Sequence, residues 1–342
     1  MFIAIFIPTG INQLNGMNYV TCGDNLQYLT LVIDINNSKN SDITMHTHQA
    51  LQNAINVSVY EAGGKVEKFQ PYLFIPMRYF CGANNNQTGK ARRELTIKIV
   101  ARFGMTSPTI IAWLYGISKR QALEHLNKLV KEKLLNVVIT HRSLDNRVYV
   151  LGYTGAKYAE ELLSVAVYFR SGDNPSLRVN LNTVMHDLMM QYIQLRGVHN
   201  KSKDGEDNVF WHSVVTESEF KRLFNSHDVR NVDGIVLEVS GSITAIEMEH
   251  SFKTKAARQT ILLKWLYGLN HGYYDKVMLF SQSQQIFSDI KRLHGQLFEE
   301  LSTRIDKKTR QPLLTESNVE LLQSRMIYRT VFCSELDKIF YQ

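Results

Sequence analysis

Three carboxylates near the middle of the chain carry the strongest chemical signal. In the stretch Arg230 to Lys255, RNVDGIVLEVSGSITAIEMEHSFKTK, the residues Asp233, Glu247 and Glu249 extend runs that are otherwise apolar. Ile235 to Val239 and Ile243 to Met248 read as strands joined by Ser240-Gly241-Ser242, a Gly-containing three-residue hairpin loop. Alternation then puts Asp233, Ile235, Leu237 and Val239 on one face, with Ile235 opposite Glu247 and Asp233 opposite Glu249. The same register pairs Glu238 with Thr244 on the other face. Like charges opposed in a sheet repel, and a buried unpaired carboxylate is costly, so such a cluster requires neutralisation. A divalent cation with oxygen ligands, Mg2+ or Mn2+, would supply it, with Asp233, Glu247 and Glu249 as ligands. Such an ion activates water and stabilises the departing oxygen of a phosphodiester, and Lys253 or Lys255 would add positive charge at the phosphate. The spacing also fits a surface hairpin with solvated acids; the apolar company on the acids' face argues against it.

The flanking elements are those that would hold this hairpin. Asn182 to Leu195 reads as an amphipathic helix, and its His186 reads as an ordinary interior or surface histidine. After the hairpin, Thr254 caps a helix to about Leu269. A strand at Lys276 to Phe280, a helix from Gln284 to Arg304 and a late strand from Arg325 to Phe332 follow. Helix, hairpin, helix and strand in that order predict an α/β sandwich on a small mixed sheet.

Charge points to a second functional region. Met1 to Gly89 holds 4 basic and 5 acidic residues, Lys90 to Val150 holds 12 and 4, and Leu151 to Gln342 holds 23 and 23, so the formal excess of +7 comes from the middle segment. A local basic patch on a near-neutral chain suggests a docked polyanion. In that segment one helix carries Leu95, Ile97, Ile99, Val100 and Phe103 and stops at Gly104. A second runs from the Ser107-Pro108 cap to Gly116, and Ser118 caps a third. The third buries Ala122, Leu123, Leu126, Leu129 and Val130 and leaves Lys119, Arg120, Gln121, His125 and Lys128 outside. Strands at Asn136 to Thr140 and Arg147 to Leu151 flank a turn, and a further helix runs from Thr154-Gly155 to about Val167. Three helices and a two-stranded wing predict a winged helix-turn-helix that contacts double-stranded DNA through the third helix and through Arg142 and Arg147. Winged helices also serve as protein-protein modules; the charge excess favours DNA.

The remainder is less informative. Cys22, Cys81 and Cys333 are odd in number and lack metal-ligand spacing, which fits a reducing cytoplasm. Met1 to Ile7 reads as a strand rather than a signal peptide, and no run is long enough to insert in a membrane. Tyr28 to Ile35 and Tyr72 to Met77 are β-like, His46-Thr47-His48 reads as a surface pair, and Lys201 to Asp207 reads as an exposed charged loop. Cys81 to Lys90 reads as a linker. The division expected is 1–90, a partly β region of unassigned role; 91–165, the winged helix; and 166–342, the acidic α/β domain. The fold class is α+β / α/β multidomain.

Asp233, then Glu247-Met248-Glu249 and a basic helix start, resembles the PD-(D/E)xK nuclease superfamily, the restriction-endonuclease-like fold. Val232 stands where that motif has Pro, and Glu249 where it has Lys. With a winged helix ahead of it and VNLNTVMHDLMMQY between, residues 91–282 resemble the replication-relaxation family and its plasmid mobilisation branch, the MobC relaxases. That resemblance implies metal-dependent nicking of one strand at a plasmid or mobile-element transfer origin. Asp233, Glu247, Glu249 and Lys253 would then be the catalytic set, with Lys255 or Lys264 as substitutes for the lysine. It also implies accessory mobilisation or coupling proteins, and a homodimer is a further option. Two alternatives stay open: a non-catalytic DNA-binding regulator of replication or transcription with a degenerate nuclease domain, and a transposon-end endonuclease. None of the 16 tyrosines stands in a motif that would mark a covalent DNA attachment.

Overall fold

A computed structural model describes residues 67–169, 174–199, 209–224, 226–307 and 310–341, and the backbone of three short antiparallel strands, β1 (Ile11–Leu14), β2 (Met17–Cys22) and β3 (Leu26–Tyr28). Met1 to Ile7, most of Tyr28 to Ile35, His46-Thr47-His48 and Lys201 to Asp207 lie outside the described residues.

The protein is a mixed α+β chain, mostly helical, with a two-stranded hairpin and a five-stranded mixed sheet. A short helix α1 (Gln70–Leu73) starts with Pro71 in its first turn and takes part of the run expected to be extended at Tyr72 to Met77. Helix α2 (Asn85–Phe103) begins inside the expected linker. The Asn84 side chain accepts the Gln87 N–H at 2.9 Å, and this cap draws Asn85 to Lys90 into the helix. Gly104, at φ 83°, closes α2. Ser107 caps α3 (Pro108–Tyr115), Gly116 ends it at φ 61°, and a Ser118/Gln121 capping box opens α4 (Lys119–Lys131). Strands β4 (Leu135–Ile139) and β5 (Arg147–Leu151) pair antiparallel from Leu135–Leu151 to Ile139–Arg147. Helix α5 (Tyr153–Leu163) stops at Ser164 in a left-handed turn, short of the expected end at Val167. At Gly155 a Cβ would lie 1.9 Å from the Leu134 carbonyl oxygen, so this glycine sets how closely α5 lies on the start of β4.

The second half runs α6 (Val184–Val198), β6 (Trp211–Thr216), α7 (Glu217–Leu223), β7 (Gly234–Glu238), β8 (Ile243–Met248), α8 (Lys255–Asn270) and β9 (Lys276–Phe280). It ends with α9 (Gln284–Thr303), α10 (Glu316–Arg325), β10 (Met326–Tyr328) and α11 (Cys333–Phe340). The strand order is β10-β9-β8-β7-β6, antiparallel from β6 to β8 and parallel from β8 to β10. Thr254 caps α8, and β9 and α9 lie where the sequence placed them. The late strand is shorter than expected, and after a single 3-10 turn the chain becomes helical.

Two differences from the sequence reading shape the site. Helix α6 is not amphipathic: it is buried almost all round, because the sheet and the α2–β5 unit both cover it. Its Gln191 spends its amide on that unit, accepting from Thr106 Oγ1 at 2.8 Å and donating to the Met105 carbonyl at 2.7 Å. The hairpin turns through five residues, Glu238 to Ser242, with Gly241 at φ 80°, so Leu237 pairs with Ile243 and Ile235 with Ala245. This register is two residues from the expected one. A two-residue shift keeps every in-strand side chain on its face, so the face assignment survives while the partners change.

The two halves share one apolar core. Arg102 of α2 donates from Nε and Nη2 to Glu219 of α7, both at 2.7 Å, and from Nη2 to the Val214 carbonyl at 2.6 Å. Among the described residues no helix is long and apolar enough to cross a membrane.

Candidate functional site

Asp233, Glu247 and Glu249 are all buried at one end of β7 and β8, yet they do not converge. Residues 231–233 precede β7, so strand alternation does not fix the direction of Asp233. Its carboxylate accepts the Met248 N–H at 2.8 Å and meets His186 Nε2 of α6 at 3.1 Å. Glu247 and Glu249 alternate within and beyond β8 and turn to α8 on the opposite face. Glu247 accepts two hydrogen bonds from Arg230, both at 2.8 Å, and one from Trp265 Nε1 at 3.0 Å. Glu249 accepts from Arg258 Nη1 and Nη2 at 2.6 and 3.0 Å and also pairs with Lys253. Among the described residues no group of three or more His, Cys, Asp or Glu side chains is placed to hold a metal ion.

The three-acid cation site therefore gives way to three separately neutralised carboxylates. Glu249 is fully buried, and its oxygens are taken by Arg258 and Lys253. Lys253 faces Glu249 rather than the cleft beside Asp233, Lys255 pairs with Glu300, and Lys264 donates to the His227 carbonyl at 2.5 Å. A buried carboxylate without a partner is strongly destabilising, which is why cations bracket the hairpin in sequence at Arg230 and Arg258. That pattern is the signal by which both arginines could have been found.

Asp233 and Glu247 remain an interacting pair. Burial, and then the nearby Asp233 charge, raise the Glu247 proton affinity despite Arg230 and Trp265. Burial would also raise Asp233, but the hydrogen bond and charge of His186, the Met248 N–H and Arg230 hold it below the usual carboxylate range. His186 is the residue that helix reading undervalued. Burial works against its charge, yet hydrogen bonds to Asp187 and Asp233 raise its pKa to about 10, so it is an imidazolium at neutral pH. Asp187 meets its Nδ1 at 3.3 Å and is itself held by Thr183 Oγ1 at 2.8 Å. These groups face an open cleft of about 440 Å3 that Asp233, His186, Asp187, Thr183, Lys221 and His250 help to line.

Of the residues expected to meet DNA, Lys128 and Arg142 are exposed, and Arg120 is exposed in a surface pair with Glu124 at 3.0 Å. Lys119 reaches Asp145 at 2.5 Å, and Gln121 is engaged in the capping box of α4. Arg147 is half-buried on β5 opposite Ile139. His125 is corrected: its ring packs 5.9 Å from Tyr115, its Nε2 lies 3.0 Å from Thr96 Oγ1, and burial, followed by Arg92 and Lys128, lowers its pKa to about 4. It belongs to the interior of the helical unit, because α2 covers that side of α4.

Compared with family models, curated proteins and solved structures, the chain matches none.

Proposed function

We propose that this protein is a DNA endonuclease that nicks one strand, with α2–β5 as a winged helix docking on duplex DNA and α6–β9 as a restriction-endonuclease-like core. The observation that supports this reading is the run helix, hairpin, helix, strand (α6, β7-β8, α8, β9), with β6 and the short helix α7 set between α6 and the hairpin. Asp233 sits immediately before β7 and Glu247 on β8. That frame is what the resemblance to the PD-(D/E)xK superfamily implies. The family-level name that follows is a relaxase of the replication-relaxation type, acting at a transfer origin.

Of the three acids only Asp233 lines the cleft, and a single carboxylate with water and phosphate oxygens can complete the shell of Mg2+ or Mn2+. Glu247 and Glu249 do not fit, their oxygens being taken by Arg230 with Trp265 and by Arg258 with Lys253. When bound, such an ion supplies an activated water and charge neutralisation at the phosphate. The chain's own residues do the rest. The Met248 N–H fixes the Asp233 carboxylate, and the His186 imidazolium beside it brings positive charge to the cleft where a phosphodiester would lie. Exposed Arg120, Lys128 and Arg142 supply phosphate contacts that orient the duplex.

One observation favours a second reading. Arg230 covers both Glu247 oxygens, as a fixed counter-charge would in a degenerate, non-catalytic core of a DNA-binding regulator. Asp233→Ala separates the two: loss of nicking with duplex binding intact supports the nuclease, and loss of duplex binding makes Asp233 structural.

A further inference from the structure

We infer that the cleft walled by α2, β5, Phe169 and the 3-10 turn Pro175–Arg178 is a binding site for single-stranded DNA. It rests on the reading that the protein handles DNA, but not on cleavage. The cavity measures about 320 Å3, within the ~300–1,000 Å3 common for ligand clefts, and is lined by Val100, Ala101, Val150 and Leu151 with Asn180 at its edge. Tyr168 and Phe169 line it, and Tyr153 lies next to the lining as an edge-on neighbour of Phe169 at 6.2 Å; Tyr168 and Tyr153 are each 61% exposed.

Each of these three rings carries its own cation. Arg178 lies 4.3 Å from the Phe169 centroid, Lys157 4.7 Å from Tyr153, and Arg222 5.4 Å from Tyr168. Arg178 is held in place by its 2.5 Å hydrogen bond to the Leu151 carbonyl. Aromatic rings each with a cation over one face, at an apolar recess, suit an unpaired strand: bases stack on the opposite ring faces and phosphates meet the cations. A duplex hides its base faces and gains nothing from the rings.

The test is anisotropy with labelled oligo(dT) of about 12 nucleotides, within the footprint of simple single-strand sites, alongside a duplex of equal length. Tyr168→Ala and Tyr153→Ala are each expected to weaken oligo(dT) binding about tenfold, within the range for one lost base stack, with duplex affinity unchanged. Tyr168→Phe is expected to retain binding because the ring face remains. Oligo(dT) affinity unmoved by both alanine variants, or lost equally with duplex affinity, would overturn the inference. Parent protein that binds duplex but not oligo(dT) overturns it and leaves the proposed function standing; binding of neither overturns both. All three variants change side chains at the cleft surface, and unchanged melting temperatures confirm that the fold is intact.

Discussion

At the level of single residues, the site is an account of how buried charge is neutralised. Glu249 has Arg258 on both oxygens and Lys253 on one, so Arg258→Met is expected to leave the buried carboxylate with Lys253 alone and to cost less than the ~3–5 kcal/mol of a wholly unpaired buried charge, read by denaturant unfolding. Adding Glu249→Leu should restore most of the loss. Full stability of the single variant in Mg2+ would mean instead that an ion neutralises Glu249. His186 gives a pH signature. Its pKa rises from 6.5 to about 10 on folding, so its contribution to stability is complete below pH 6.5 and disappears as pH rises through 10. The stability difference between the parent and His186→Gln should shrink across that window; a constant difference would show that the imidazole is not charged between Asp187 and Asp233.

At the level of elements, much was legible because local rules agree with the fold. Ser107, Ser118 and Thr254 cap helices, Gly104 and Gly116 end them, and the pattern of Lys276 to Phe280 marks a strand. What was not legible depended on long-range packing. Helix α6 is covered on two sides and shows no amphipathic stripe, β6 and α7 follow a stretch without periodicity, and His125 is half-buried against a helix nearly thirty residues earlier. The three carboxylates share a face only while all lie in regular strand, and Asp233 does not. For α4, Arg120→Ala with Lys128→Ala should weaken duplex binding and flatten the dependence of log affinity on log salt by about 2, one phosphate contact each. An unchanged slope would move the DNA surface elsewhere.

For the whole molecule, Arg102–Glu219, Gln191 and the continuous core tie the helical unit to the sheet. Calorimetry should therefore show one cooperative transition across both halves, and two separated transitions would mean that the boundary near residue 165 divides independent folding units. The most direct measurement for the protein as a nuclease is nicking of supercoiled plasmid carrying its cognate origin, in Mg2+ or Mn2+, by the parent and by Asp233→Asn. Nicking by the parent and none by the variant, with equal duplex binding by both, is expected if Asp233 holds the ion at the phosphate. Tight duplex binding with no nicking by the parent in either ion would contradict it and leave the Arg230–Glu247 pair as part of a non-catalytic core.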